Sequence, residues 1–170
     1  MAKIIFIIYF LSLNSFSQNK ASHKKYSMDF IGGYYTNLNS WKENGVSGGY
    51  EFSYMPKTIV YSANISMGFG ISKNRNTKDG YIQAFFETDL LAGKKFNLTK
   101  SISIIPQSGM GFLHYTNHFQ EEKKYIIGFP FQTKIYFFDN KNLSFGLIPR
   151  VMINNIQNNY SINFTINTKF

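Results

Sequence analysis

The residues of this chain that could carry out a reaction are few, and they lie close together in the sequence. His114 and Thr116 are separated by one residue, and Glu121 and Glu122 follow shortly after them. A base, a hydroxyl and a carboxylate can perform nucleophilic catalysis when they lie within hydrogen-bond reach of one another. His114 has the same strand parity as Phe112, so the competing interpretation is an amphipathic residue at the edge of an apolar surface.

A second set of chemistry-bearing residues consists of isolated charges within otherwise uncharged polar positions. A charge in a packed interior is unfavourable unless an opposite charge lies beside it, so we expect these residues to pair. Asp29 and Lys169 are predicted to be close, because the first and last strands become neighbours in a closed sheet. A second cluster could form from Glu87, Asp89, Lys134 and Arg150. A structural plug is the favoured interpretation, and a proton or ion path is the alternative. The set is Asp29, Glu51, Glu87, Asp89, Lys134, Arg150 and Lys169.

Composition limits the other kinds of chemistry. The chain has 170 residues, which suits one domain, with 18% aromatic residues and a net charge of +9. It has no cysteine, so it has neither a disulfide nor a thiolate metal site. No glycine-rich phosphate loop or metal-ligand motif is present. We therefore expect no metal and no cofactor.

The first residues have the layout of an export signal. "MAKIIFIIYFLSLNSFSQ" contains one lysine, an apolar run from Ile4 to Leu13 and then small polar residues. The run is shorter than the roughly 20 apolar residues of a membrane-spanning helix, which disfavours the alternative of an uncleaved anchor. We predict a signal peptide over 1–18, a short N-terminal segment over 19–25 and one folded domain over 26–170.

The domain is predicted to be all-β, because apolar and polar residues alternate almost throughout it. In the clearest stretch, Tyr61, Ile65 and Phe69 share one face, whereas Ser62, Ser66 and the two glycines at 68 and 70 share the other. The alternating stretches are Tyr26–Tyr35, Gly48–Met55, Tyr61–Ile71, Tyr81–Ala92, Ser101–Tyr115, Tyr125–Phe138, Leu143–Ile153 and 160–170.

The connections between these stretches alternate in length. An even number of antiparallel strands places both termini at one end and the long connections at the other. Short turns at one end and long loops at the other are typical of an outer-membrane barrel. The long connections are 36–47, 72–80, 116–124 and 154–159, and the shorter ones are 56–60, 93–100 and 139–142.

Three features favour a barrel whose apolar face points outward to lipid over a soluble barrel with that face inside. The polar face is built from Gly, Ser, Asn, Gln and Thr, which suit a crowded interior better than a water-exposed surface. Most stretches have the length of about ten residues that a tilted membrane strand needs. Aromatic residues cluster at both strand ends, as in interfacial girdles. These are Tyr35, Tyr50, Tyr81, Tyr115, Tyr125 and Tyr160 at the loop end, and Tyr26, Tyr54, Tyr61, Phe137, Phe138 and Phe170 at the turn end.

Together, the export signal, the alternating strands and the final aromatic residue resemble the small eight-stranded outer-membrane barrels of the OmpX, OmpA-transmembrane-domain and OmpW kind. The resemblance covers 26–170 and implies an antiparallel up-and-down transmembrane barrel in the cell outer membrane, expected to be a monomer. It also implies that Phe164, Ile166 and Phe170 form the signal that the barrel-assembly machinery reads. Thr168 departs from that pattern, since a larger apolar residue is common at this position.

A second resemblance concerns "HYTN" at 114–117, which is similar to the His-x-Ser pair of lipid A deacylases. Thr116 stands where that family has its serine nucleophile, and the residues expected after it are missing. The resemblance implies a lipid-modifying enzyme that uses His114, Thr116 and Glu121.

Basic residues are concentrated in the predicted long loops, where they could contact the phosphates of lipid and lipopolysaccharide. A merely solvated rim is the competing interpretation, and an outer-membrane address makes nucleic-acid binding remote. The rim consists of Lys42, Lys73, Arg75, Lys78, Lys123 and Lys124.

The leading hypothesis is thus a non-enzymatic outer-membrane barrel with a structural or surface-interaction role through its loops. The alternatives are the lipid A deacylase and a soluble secreted barrel that binds an apolar ligand. The orientation of Phe164 and Ile166 relative to Asn163 and Thr165 separates the membrane barrel from the soluble one.

Overall fold

Every element of the described chain is a β-strand. The computed structural model describes residues 25–37, 43–73, 80–117, 122–139, 141–155 and 158–170. None of these residues belongs to a helix of the length and hydropathy that crossing a membrane requires. The strands are β1 (Tyr26–Asn37), β2 (Glu43–Tyr54), β3 (Ile59–Lys73), β4 (Gly80–Lys94), β5 (Phe96–Asn97), β6 (Ile102–Asn117), β7 (Glu122–Phe137), β8 (Leu143–Ile153) and β9 (Asn159–Lys169).

The strands form one closed antiparallel barrel. The sheet order is β4-β3-β2-β1-β9-β8-β7-β6-β5, and β4 also pairs with β6, which joins the two edges. The two-residue strand β5 only extends the turn between β4 and β6, so the wall has eight strands. The predicted all-β, eight-stranded, antiparallel up-and-down barrel is therefore confirmed.

The barrel has two distinct ends. We call the end at which β1 leads to β2, β3 to β4, β6 to β7 and β8 to β9 the loop end. The opposite end is the turn end, where Tyr26 begins β1 and Phe170 follows β9. Tyr26 and Phe170 exchange backbone hydrogen bonds of 3.3 and 3.0 Å between N and O atoms.

The strands continue further toward the loop end than the alternation predicts. Residues 43–47 and 122–124 were expected in connections, but they belong to β2 and β7. In β2 the cause is glycine, whose missing side chain hides the two-residue period. A Cβ atom added to Gly45 or Gly49 would lie 2.2 or 2.3 Å from a backbone oxygen of β3, so close strand pairing requires glycine there.

The two faces of the wall are inverted relative to a soluble protein. Phe164 is 70% exposed on the outer surface, whereas Asn163 and Thr165 on either side of it are 4% and 3% exposed. Ile166 is also outward. An apolar ligand cavity would need the opposite orientation, so the structure contradicts the soluble-barrel alternative. Large apolar side chains cover the outside of every long strand, and polar side chains fill the lumen.

Candidate functional site

The lumen contains a buried lysine between two carboxylates. Asp29 on β1 and Glu51 on β2 are directly opposite in the strand register, an arrangement that repels when like charges stand alone. Lys134 reaches them from β7 across the lumen, with Nζ 2.8 Å from Asp29 Oδ2 and 2.6 Å from Glu51 Oε1. Ser53 Oγ accepts a further bond from Nζ at 3.2 Å. We call Lys134, Asp29 and Glu51 the lysine cluster.

Asp29 receives hydrogen bonds from several elements as well as from the lysine. Tyr136 OH on β7 lies 2.8 Å from each of its carboxylate oxygens. Thr165 Oγ1 and Asn167 Nδ2 on β9 donate to Oδ1 at 3.0 and 3.1 Å. These donors hold a fully buried carboxylate in one orientation, and they make Asp29 the point at which β1, β7 and β9 meet inside the barrel.

Asp29 and Lys169 lie on neighbouring strands, and the direct contacts described for them are with other residues. In the β1–β9 register Asp29 faces Asn167, and Lys169 faces Ser27, one inward position nearer the turn end. Lys169 Nζ instead bonds the side chain and the backbone oxygen of Asp139, which Lys95 also contacts. Burial alone would raise the pKa of Asp139, but Lys95 and the bond from Lys169 hold that pKa below its ordinary value.

Arg150 forms the second ionic group, which lies nearer the loop end. Its Nη2 contacts Glu87 and lies 2.7 Å from Asp89 Oδ2. Asn64 Nδ2 donates to the same Asp89 oxygen at 2.7 Å. We call Arg150, Glu87 and Asp89 the arginine cluster. The sequence also suggested Lys134 as a member, but Lys134 belongs to the lysine cluster.

Amide side chains connect the two clusters. Gln132 Nε2 donates to Glu51 Oε2 at 2.8 Å, and Gln132 Oε1 accepts from Arg150 Nη1 at 2.9 Å. Gln132 also donates to Gln107 Oε1 at 3.0 Å. The alternation places these glutamines on the inward face, but no feature of the sequence distinguishes them as a bridge. The lumen is thus one hydrogen-bonded network rather than two separate ion pairs.

A small cavity of about 30 Å³ adjoins the arginine cluster. Its lining includes Asn64, Glu87, Gln132 and Arg150, and it has room for one or two water molecules. Asn64 Oδ1 and Asp89 Oδ1 are buried nearby without a hydrogen-bond partner within the described residues. This part of the lumen is therefore polar and incompletely satisfied, unlike the surroundings of Asp29.

Apolar clusters lie on both sides of the ionic network. Two aromatic residues that were expected in the outer belt, Tyr35 and Tyr115, instead point inward and are 1% and 9% exposed. The inward orientation is a correction, and it follows from their parity with the buried positions of β1 and β6. The loop-end cluster is Tyr35, Phe85, Leu113, Tyr115 and Ile126, and the turn-end cluster is Met55, Val60, Ile105 and Tyr136.

The possible catalytic residues do not form a hydrogen-bonded set in the described structure. The His114 ring stacks on Tyr125 of β7, with ring centroids 4.6 Å apart and planes at 9°. Its Nε2 is buried without a hydrogen-bond partner among the described residues. Thr116 lies on the same strand face, Glu121 lies outside the described residues, and the backbone of Glu122 pairs with Asn117.

The predicted basic rim is only partly covered by the structure. Lys42, Arg75 and Lys78 lie outside the described residues. The backbones of Lys73, Lys123 and Lys124 belong to the loop-end parts of β3 and β7.

The outer surface at the turn end has a belt of aromatic rings. Tyr26 stacks on Tyr54, with centroids 5.2 Å apart, and lies 6.4 Å from the Phe170 ring. We call the exposed rings here the turn-end belt, and its members are Tyr26, Tyr54, Tyr61, Phe137, Phe138 and Phe170. Phe164, Ile166 and Phe170 are all outward. Their role as an assembly signal stays a prediction.

Comparison with known proteins supports the fold. No family model and no curated protein matches the chain. Among solved structures, Neisserial surface protein A aligns with a TM-score of 0.68 at 9% identity, covering 89% of this chain and 100% of that one. Ail of Yersinia pestis, in complex with the heparin analogue sucrose octasulfate, gives 0.58 at 11% identity, over 86% and 99% of the two chains. The N-terminal β-barrel domain of Pseudomonas aeruginosa OprF gives 0.57 at 9% identity, over 87% and 98%.

These neighbours define the class of the fold. The chain is an eight-stranded antiparallel barrel of the kind found in small outer-membrane proteins. At these identities the likeness concerns architecture alone.

Proposed function

We propose that this protein is a non-conducting outer-membrane barrel with a structural or surface-interaction role, exported by a signal peptide over 1–18. The observation that carries the proposal is the inverted distribution of its side chains. Phe164 and the other outward-facing apolar residues of the long strands form a continuous apolar exterior. In the interior, Asp29, Glu51 and Lys134 are 0%, 0% and 1% exposed. A wall of this kind is stable only when lipid covers the outside, because a large exposed apolar surface is unfavourable in water.

The filled lumen supports a role other than solute passage. An eight-stranded barrel has room for little more than its own side chains. Here the ionic network spans the lumen between β1, β2, β4, β7 and β8, and an apolar cluster lies on each side of it. A solute would have to displace buried, paired charges, which is strongly unfavourable.

Two measurements test this proposal. The full chain, expressed in a Gram-negative host, should fractionate with the outer membrane and migrate faster on a gel before boiling than after it. Liposomes that contain the purified protein should show the same sugar permeability as empty liposomes. Recovery as a soluble periplasmic protein would contradict the membrane location, and sugar-dependent swelling would contradict the closed lumen.

The surface-interaction part of the proposal depends on the loop end. The predicted loops contain six basic residues, at 42, 73, 75, 78, 123 and 124, against four acidic residues, Glu43, Asp79, Glu121 and Glu122. This excess of two positive charges suits lipopolysaccharide phosphates. Ail, a neighbour in fold, was solved with a sulfated sugar analogue, and we propose an anionic saccharide or lipid partner here as well. Replacing the rim residues by glutamine should weaken retention on immobilised lipopolysaccharide. Unchanged retention would contradict this partner.

The proposal assigns His114 to the outer surface and not to catalysis. The His114 ring stacks on Tyr125, so it lies on the outer surface near the loop end as part of an amphipathic pair. Within the described chain, no nucleophile is hydrogen-bonded to its Nε2. Lipid A from cells that express a His114→Ala variant should have the same acylation pattern as lipid A from cells that express the parent protein. A change in acylation that depends on His114 would instead support the deacylase.

A further inference from the structure

The turn end has more lysines than its acidic residues can pair with. Asp139 is the one acidic residue in the described part of the turns at this end, and Lys95 and Lys169 already neutralise it. The remaining lysines form no ion pair with any described residue, and we call them the turn-end lysines. They are Lys25, Lys57, Lys94, Lys100 and Lys141.

Hydrogen bonds hold the turns that carry these lysines in defined positions around the barrel. Met55 N donates to Lys25 O at 2.7 Å, which ties the chain before β1 to the turn after β2. Lys95 N donates to Thr58 O at 2.8 Å, and Lys141 N donates to Phe138 O at 3.1 Å. The positive charges are therefore presented by an ordered rim rather than by free tails.

The turn-end lysines lie beside the aromatic belt that marks the edge of the lipid-facing surface. Lys141 Nζ is 5.7 Å from the centroid of the Phe138 ring, and Lys94 Nζ is 5.6 Å from that of Phe96. Lys25 directly precedes Tyr26 of the belt. A lysine in this position can lay its aliphatic stem along the apolar surface and extend its ammonium group to the level of the lipid headgroups.

We propose that the turn-end lysines bind the phosphate headgroups of anionic phospholipids in the leaflet at this end of the barrel. This inference rests on the proposed function, because the short turns of an outer-membrane barrel lie on the periplasmic side. A cluster of four to eight basic residues next to a membrane surface favours anionic lipid, and one lysine close to a headgroup contributes a factor of about five. The binding is electrostatic, so it weakens as salt shortens the screening length.

Lipid selectivity in reconstituted vesicles tests the proposal. The mature protein is inserted into phosphatidylcholine vesicles that contain a trace of spin-labelled phosphatidylglycerol or spin-labelled phosphatidylcholine, and the immobilised fraction of each label is measured. Phosphatidylglycerol should associate roughly fivefold more strongly than phosphatidylcholine, the factor expected for one favourable lysine–headgroup contact. The preference should fall in 1 M sodium chloride.

A pair of charge-matched variants locates the effect. The turn-end variant K25Q/K57Q/K94Q/K100Q/K141Q should lose at least half of the preference. The loop-end control K73Q/R75Q/K78Q/K123Q/K124Q removes the same charge and should keep most of it. A preference that survives in the turn-end variant and disappears in the control would overturn the inference, as would equal association of both lipids with the parent protein.

The insertion step separates this inference from the proposed function. If the parent protein fails to enter neutral vesicles in its heat-modifiable form, the membrane location itself is contradicted. If it inserts and shows no headgroup preference, only the inference fails. Lysine-dependent sedimentation with purified peptidoglycan, without any lipid preference, would assign the rim to a different polyanion and would also overturn the inference.

Discussion

Both ionic clusters in the lumen hold a buried cation against two carboxylates, but they differ in how fully they are buried and hydrogen-bonded. In the lysine cluster, Lys134 is 1% exposed, and Asp29 also accepts bonds from Tyr136, Thr165 and Asn167. In the arginine cluster, Arg150 is 8% exposed and adjoins a cavity of about 30 Å³.

The unpartnered atoms show the same contrast. Asp89 Oδ1 and Asn64 Oδ1 lack hydrogen-bond partners among the described residues of the arginine region, whereas both oxygens of Asp29 are bonded. Glu51 Oε1 of the lysine cluster also lacks a hydrogen bond within the described residues, but it lies 2.6 Å from the Lys134 ammonium. A satisfied buried network is rigid, and an incompletely satisfied one next to a cavity can admit water. We therefore expect the lysine cluster to be the less tolerant of substitution.

The largest effect should come from Lys134→Met. Removal of the ammonium leaves Asp29 and Glu51 buried opposite each other without a cation, and breaking a buried pair in this way costs about 3–5 kcal/mol. The free energy of unfolding in urea, measured in neutral phosphatidylcholine vesicles, checks this value. The matched control is Lys141→Met, an exposed lysine whose loss should change stability by less than about 0.5 kcal/mol. A small effect of Lys134→Met would contradict a dry, paired lumen.

Arg150→Met should destabilise the barrel by a smaller amount, about 2 kcal/mol, because water can enter the neighbouring cavity and solvate Glu87 and Asp89. The same urea titration measures it. The comparison between the clusters fails if Arg150→Met costs as much as Lys134→Met or more.

Gln132 should couple the two clusters. Its amide joins Glu51 to Arg150, so the effects of Lys134→Met and Arg150→Met should be non-additive by about 0.5 kcal/mol or more. In a Gln132→Leu background the coupling should disappear, although this substitution itself costs about 1–3 kcal/mol by leaving polar groups unpaired. Additive effects in the parent background would show that the clusters are independent.

The sequence predicts the orientation of side chains better than it predicts their partners. Alternation places Asp29, Glu51 and Lys134 on one face of the wall and Phe164 on the other, because the strand period is two. Strand length, the composition of the polar face and the aromatic belts then predict which face points outward. Alternation does not reveal that Lys134 on β7 meets Asp29 on β1, since these strands are not neighbours. That contact depends on how the tilted wall brings its far side across the lumen, which local spacing does not encode.

The loop end was the part of the fold least visible in the sequence. Gly45 interrupts the apolar pattern ahead of Gly48, where the predicted stretch begins, so the start of β2 resembles a connection. Backbone pairing with β3 nevertheless continues through both glycines. Periodicity detects side-chain placement, and it cannot detect a strand whose pairing depends on the absence of side chains.

The smallest expected effect concerns the turn end and depends on pH. The pKa of Asp139 is lower in the folded protein than in the unfolded chain, so its stabilising contribution is complete above about pH 4 and is lost as the pH falls through the folded-state value. Asp139→Asn should cost up to about 1 kcal/mol at pH 7 and remove that part of the acid dependence. Urea titrations at pH 7 and at pH 3 measure both quantities, and an equal loss at both pH values would contradict the ion pair with Lys95 and Lys169.

The claim on which the whole account depends is that the apolar face of the wall meets lipid and the polar face meets a closed lumen. Because the chain has no cysteine, single cysteines can be placed at successive positions from 160 to 168, spin-labelled and studied in lipid vesicles. Collision with oxygen, which concentrates in lipid, should be high at Ile162, Phe164 and Ile166 and low at Asn163 and Thr165, with little contact anywhere in this stretch with a water-soluble nickel reagent. High nickel accessibility at Phe164, or oxygen accessibility that does not alternate, would contradict the account.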